Sequence, residues 1–202
     1  MPKKLELPIG EALVRTLRVG DEVEISGILV TGRDAAHQYL HTVHHDATFD
    51  ALVRGRFLYH CGPVVKREAD GSWRVLAAGP TTSIREEPFE AETIQHYGIR
   101  GVIGKGGMGA KTLAALQQFG AVYLHAIGGL AAVLGQCVTR VHSVYKLEEL
   151  GPPEAMWQLE VKDFPAVITM DAHGDSLHVQ MEEESAAKAR RLMEANPFLP
   201  KR

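Results

Sequence analysis

The chain has 202 residues, 45% of them hydrophobic and 23% charged, with a formal net charge of -3. That is enough apolar material for one sizeable core and too little positive charge for a nucleic-acid surface. Met1 to Leu5 lacks the apolar run of a signal peptide, and no stretch of about 18 apolar residues could span a bilayer, so a cytoplasmic protein folded as one domain over 1-202 is expected.

After a short helical or irregular opening, Gly20-Asp21 reads as a turn. Val23, Ile25, Ile28 and Val30 alternate as in a strand, with Gly27 shifting the phase like a bulge and the strand ending near Thr31-Gly32. Asp34 is placed to cap a short helix from Ala35 to about Thr42, because its carboxylate can accept the free amide hydrogens of the first turn. A second apolar run, Phe57 to Cys61, stops at Gly62-Pro63. Val64-Val65 and Trp73 to Ala78 flank Glu68-Ala69-Asp70-Gly71, and Asp-Gly there signals a hairpin because both residues tolerate positive φ.

From Pro88 the pattern changes. Phe89 to Tyr97 reads as a helix with Gly98 at its C-cap, and a buried strand, Gly101 to Ile103, runs into a glycine-rich turn. A helix from Lys111 to Phe119, with Leu113 and Leu116 inward, ends at Gly120. A strand from Val122 to His125, the loop Gly128-Gly129 and an apolar helix from Leu130 to about Gln136 come next. Strands are expected near Val138 to Tyr145, Trp157 to Val161 and Val167 to Asp171, and the charged stretch of about 182-195 reads as a peripheral helix. Strands first and alternating units later make an α/β domain with a mixed sheet.

Three clusters place cations or hydroxyls beside turns that expose backbone amides. In Thr31-Gly32-Arg33-Asp34-Ala35-Ala36-His37, a strand end feeds a helix start, where Arg33 can hold a carboxylate bidentately; it could equally pair with Asp34. In Gly79-Pro80-Thr81-Thr82-Ser83-Ile84-Arg85, three hydroxyls and an arginine follow a strand, suited to substrate oxygens or proton relay, or else to capping the next helix. The third, Gly104-Lys105-Gly106-Gly107-Met108-Gly109, fits the G-x-G-x-x-G dinucleotide pattern, which calls for an acid about 20 residues on. His125-Ala126-Ile127-Gly128-Gly129 supplies none. What remains is a backbone nest with Lys105, suited to a small anion such as a carboxylate.

His37, His41, His44 and His45 include an i, i+4 pair, yet no further carboxylate or thiolate stands in metal-site spacing. A solvated or substrate-facing histidine face is expected, with no metal site in this chain. Cys61 and Cys137 read as buried thiols rather than a disulfide, and two thiols are too few for an ordinary iron–sulfur cluster.

From about Gly10 to Leu177 the chain resembles the β subunit of two-subunit iron–sulfur fumarases and L-tartrate dehydratases, equivalent to the C-terminal domain of single-chain class I fumarases. The residues that carry the resemblance are Val30 to His37, Tyr59-His60-Cys61-Gly62-Pro63, Gly79 to Arg85, Gly104 to Met108, Ile127-Gly128-Gly129 with Ala131-Ala132, and Asp163-Phe164-Pro165-Ala166. Met170-Asp171-Ala172-His173-Gly174 also looks like the closing strand of that family.

The resemblance implies a swivelling β/β/α domain and a reversible addition or removal of water at a dicarboxylate. It also implies a four-iron four-sulfur cluster on a separate α subunit, in an assembly of two α and two β chains, with one iron open to the substrate as Lewis acid. The positions carried across are Arg33, Thr81, Thr82, Ser83, Arg85 and Lys105, which would hold the carboxylates and hydroxyl. A dianion needs convergent cations and the reaction needs a proton acceptor. Thr81 is the first candidate for that role and His37, one helical turn from Arg33, the second. Fumarate is the favoured substrate. L-tartrate, and a non-catalytic small-acid binding module, are the alternatives; a nucleotide-dependent oxidoreductase fails on the missing acid.

Overall fold

The computed structural model describes residues 1–195. In chain order the elements are β1 (Lys3–Glu6), α1 (Glu11–Val14), β2 (Glu22–Thr31), α2 (Asp34–Val43), α3 (Ala47–Val53), β3 (Phe57–Tyr59), β4 (Val64–Arg67) and β5 (Trp73–Ala77). A 3-10 turn (Ser83–Glu86) follows, then α4 (Glu87–Tyr97), β6 (Gly101–Gly104), α5 (Ala110–Phe119), β7 (Val122–His125) and α6 (Ala131–Gln136). The last are β8 (Val138–Tyr145), α7 (Leu147–Leu150), β9 (Met156–Met170) and α8 (Leu177–Ala195).

The main sheet runs β1-β2-β3-β6-β7-β9-β8, and a further pairing of β2 with β9 joins it back on itself. β2, β3, β6 and β7 are mutually parallel, while β9 runs antiparallel to both β7 and β2. These five strands close a small barrel, which leaves no free edge among them. Alternation then gives each strand one inner face: Ile25, Leu29, Phe57, Tyr59, Ile103, Leu124, Phe164 and Ile168 fill the interior, each almost fully buried. Each such side chain contributes about 1.5–3 kcal/mol of burial.

The opposite faces of the same strands carry Val30, Leu58, Val102 and Tyr123, which pack against Leu40, Phe49, Ile94 and Leu116 of α2, α3, α4 and α5. The β4–β5 hairpin forms a second small sheet, and its Trp73 meets Trp157 of β9 edge-on at 5.2 Å. Barrel, hairpin and helices are the α/β architecture with a mixed sheet that the sequence implies.

Three expectations need correction. The opening is not helical or irregular throughout, since Lys3–Glu6 is a strand paired parallel to β2; only Leu5 of its four residues is buried, so no alternation betrays it. The two strands expected over 157–171 are one strand of 15 residues. Pro165 and the positive φ of 51° at Asp163 mimic a break, but β8 pairs with the first part of the strand and β7 with the last. The C-terminal helix begins at Leu177, earlier than expected, and lies largely exposed. The bulge at Gly27 is as expected: the β2–β9 register shifts there, φ is +107°, and a Cβ would stand 2.6 Å from the Leu7 carbonyl.

No helix among the described residues is long and apolar enough to cross a membrane. The parallel strands deliver Arg33, His60, Lys105 and His125 to one edge of the barrel, each at or just past a strand's C-terminal end, where α/β folds build their sites.

Candidate functional site

β2 ends in Thr31, and the Gly32 amide still donates to the Tyr59 carbonyl at 3.0 Å, so Arg33 leaves the sheet at a fixed point. Asp34 does not cap α2 with its side chain; Arg33 occupies the N-cap position and the Ala35 amide donates to Glu154 Oε2 at 2.9 Å. The reason is competition. Arg85 donates to the Asp34 carboxylate from Nε at 2.8 Å and Nη2 at 2.9 Å, and Arg33 donates to Oδ2 from Nε at 3.2 Å and Nη2 at 3.1 Å. Charge-assisted contacts of this kind outweigh a neutral amide. Partial burial works against the Asp34 charge, yet the hydrogen bonds from Arg85 and Arg33 hold its carboxyl below the usual range. The pairing of Arg33 with Asp34 is therefore real, and Arg33 also meets Glu154 at 3.0 Å.

The hydroxyl loop is stitched to both neighbours. The Thr81 amide donates to the His60 carbonyl at 2.7 Å, the Lys105 amide to the Thr81 carbonyl at 3.2 Å, and the Ser83 amide to the Lys105 carbonyl at 3.0 Å. Gly104 permits this approach, because a Cβ there would lie 1.8 Å from Ser83 Oγ. Arg85 Nη2 also donates to Thr81 Oγ1 at 2.7 Å, so a fixed cation stands beside that hydroxyl and favours negative charge on it. Thr81, Thr82, Arg85 and Lys105 keep partial exposure, Arg85 the most at 45% of its side chain. Among the described residues no carboxylate pairs with Lys105, whereas both arginines are paired.

An internal carboxylate sits where the glycine turn enters α5. Glu87 accepts from the amides of Gly109 at 2.7 Å, Lys111 at 3.0 Å and Thr112 at 3.3 Å, and from the Thr112 hydroxyl at 2.6 Å. Glu87 thus caps the start of α5, and of the Gly104 to Gly109 turn it engages the last amide.

Beneath the loop lies a layer of which sequence reasoning singled out His37 alone. His37, His60 and Glu90 are all fully buried. Glu90 Oε2 accepts from His37 Nε2 at 2.8 Å and from His60 Nε2 at 3.0 Å. Burial opposes a charged His37, but the adjoining Glu90 carboxylate pushes it up to about 9; burial likewise opposes a charged Glu90, and the two histidines bring it down to about 2. Burial lowers His60. Glu86, almost fully buried and 3.7 Å from His37 Nδ1, is pushed up by burial to about 7.

Two expected site residues therefore stand elsewhere than at the opening. His37 faces inward, not on a shared histidine face, and both its ring nitrogens are engaged. His41 and His44 point outward to Glu92, at 2.6 and 3.8 Å. Ser83 is buried, its hydroxyl taken by His60 Nδ1 and Tyr123 Oη, each at 2.9 Å. Nothing in the sequence marks Glu86 and Glu90 as buried, since they read as the charged face of a helix. His60 lies within the Tyr59 to Pro63 run that carries the family resemblance, the signal that could have found it.

The donor set of this chain does not fit an iron–sulfur cluster. Both cysteines are free; Cys61 is fully buried, with burial pushing its thiol up to about 12, and Cys137 is partly buried. Two thiols fall short of the three or four that an ordinary cluster takes. His37, His60 and Glu90 are the group of potential metal ligands among the described residues, and hydrogen bonds at 2.8 and 3.0 Å already join them.

Residues 3–181 match the family model described as Fumarase C-terminus. The chain is 54% identical over 91% of its length to a Geobacillus stearothermophilus protein named fumarate hydratase class I, of which it spans only 35%. It is 39% identical to a protein named L(+)-tartrate dehydratase subunit beta in Methanocaldococcus jannaschii, over 89% of this chain and 93% of that one. The Escherichia coli L(+)-tartrate dehydratase subunit beta is 37% identical over 88% of this chain and 87% of its own length.

Proposed function

Because the chain belongs to the Fumarase C-terminus family, we propose that it is the β subunit of an iron–sulfur hydro-lyase that hydrates fumarate reversibly to L-malate. In this reading it works in the cytoplasm, as one domain, in a complex of two α and two β chains. The α subunit carries the four-iron four-sulfur cluster, consistent with the unsuitable thiols of this chain.

The observation that carries the reading is that Arg85 donates to the Thr81 hydroxyl and shares Asp34 with Arg33, while the Lys105 amide pairs with the Thr81 carbonyl at the same edge of the barrel. A dicarboxylate needs opposed cations at its two ends, and Lys105, without a carboxylate partner, is the cation most available for one end. Arg33 and Arg85, gathered on Asp34, present a second positive focus for the other. Thr82 adds a hydroxyl at the rim, and Ser83 and His37 support the loop from below. Thr81 is the proton-transferring group: the adjacent guanidinium favours its deprotonated form, and an acid on the partner would complete the transfer. With one side open, the edge is half a site, and the partner supplies the rest.

L(+)-tartrate is the second substrate, favoured by the near-complete overlap with proteins named L(+)-tartrate dehydratase subunit beta. The test is hydration of fumarate and dehydration of L-tartrate under anaerobic conditions, with this chain alone and with its cluster-loaded partner. Activity only in the mixture is expected, the larger kcat/KM naming the substrate. Inactivity of a mixture with an intact cluster would replace the hydro-lyase with a small-acid binding module.

A further inference from the structure

The buried layer forms one continuous line of hydrogen bonds. His37 Nδ1 donates to the Arg33 carbonyl at 3.0 Å and Nε2 donates to Glu90. A carboxylate only accepts, so His60 must donate to Glu90 from Nε2, which leaves Nδ1 to accept from the Ser83 hydroxyl at 2.9 Å. Ser83 in turn accepts from Tyr123 Oη at 2.9 Å. Each proton has one place, and the line ties the backbone of Arg33 on one side to the loop bearing Thr81 and Arg85 on the other.

Such an arrangement is expensive to bury. Replacing buried ions by apolar side chains of similar volume is often neutral or stabilising, so stability alone does not account for three ionisable groups with no exposure. What a charged, directional line provides and an apolar contact does not is a fixed distance and angle between the segments it joins. Those segments come from sequence positions far apart and carry the cations of the site.

We propose that His37, Glu90 and His60 are positioning residues, a buried relay that sets the spacing between the Arg33 and Thr81–Arg85 segments so that a dianionic substrate meets its cations already in place. The inference rests on the hydro-lyase reading for the identity of the substrate, not for the relay itself. The titratable and charged groups that face it are Glu86 and Arg85 from the turn before α4, Asp34 from α2, and the neutral phenol of Tyr123 from β7.

The test compares wild type with Glu90→Gln in the full complex, with Ser83→Ala as a second variant that cuts the line at a small side chain should Glu90→Gln fold poorly. KM for the dicarboxylate, and the Kd of unreactive succinate measured by calorimetry, are expected to rise about tenfold or more, with kcat changed much less. Acetate, which spans no gap between cations, is expected to lose much less affinity. Equal losses for succinate and acetate, or a lower Tm with unchanged KM and Kd, would overturn the relay. Imidazole nitrogen NMR of the full chain adds a readout free of activity: His37 is expected to stay an imidazolium through pH 8 in wild type and to become neutral in Glu90→Gln. A wild-type His37 titrating near 6.5 would also overturn it. An inactive wild-type complex that still binds succinate, more weakly in Glu90→Gln, would uphold the relay while refuting the hydro-lyase.

Discussion

The carboxylate of Asp34 is gripped at two points by Arg85, through Nε at 2.8 Å and Nη2 at 2.9 Å. The same Nη2 reaches Thr81 Oγ1 at 2.7 Å. Arg85 is therefore not a loose surface cation: its planar fork is oriented by one neighbour and applied to another.

A lysine cannot reproduce that fork, although it keeps the charge. Arg85→Lys is expected to lose nearly as much kcat/KM as Arg85→Ala, in each case about 2–3 kcal/mol of transition-state stabilisation. Steady-state kinetics of the complex measures both, and a Lys variant close to wild type would show that charge alone matters at this position.

Thr81→Val keeps the shape of the side chain and removes its hydroxyl. If that hydroxyl carries the proton, kcat falls by about 100-fold or more while KM moves little. A loss confined to KM would make Thr81 a binding group and send the search for the base to the partner.

Glu86 gives the pH prediction. Its carboxyl is raised by burial from 4.5 to about 7, so the folded state binds the proton more tightly than the unfolded chain does. The stability this confers is present below 4.5 and is lost as pH rises through 7. Glu86→Gln cannot titrate, and its Tm relative to wild type is expected to climb between pH 5 and pH 8. A difference that is flat with pH would place Glu86 in contact with water.

His37 and Glu90 act in the opposite sense to one another. The raised His37 stabilises fully below 6.5 and ceases to do so as pH passes about 9, while the lowered Glu90 stabilises above 4.5 and ceases to as pH falls through about 2.

Gly104→Ala tests the close approach of loop and strand. The added Cβ would lie 1.8 Å from Ser83 Oγ and 3.0 Å from Tyr123 Oη, both buried groups with little room to retreat. A cost of about 1–3 kcal/mol is expected from overpacking, read as a lower midpoint in chemical denaturation. An unchanged midpoint would mean that the loop yields, and with it the stitching that aligns Thr81 with Lys105.

Local chemistry explains which parts were legible in the sequence. Strands, hairpin and helices were recoverable where alternation or a glycine cap marked them: Val23 to Val30, the Asp70-Gly71 turn, and helices ending at Gly98 and Gly120. The edge strand at Lys3–Glu6 was not, because a single buried side chain makes no pattern. The cations and hydroxyls of Arg33, Thr81, Arg85 and Lys105 were visible as residue types beside turns, and the tertiary structure brings them to one edge of the barrel.

Residue identity and spacing by themselves determined the α/β class, the succession of elements and the short list of groups able to hold a small acid, since these depend on neighbours within a few positions. Only the tertiary structure decided what each group does with its charge. Asp34 turned from the helix it opens to two arginines, Glu87 capped the helix that follows the glycine turn, and His37 went into the core to meet Glu90 and His60. Those outcomes turn on burial and on partners up to 53 residues away, and the energy of a charge depends on what surrounds it in space rather than on its place in the chain.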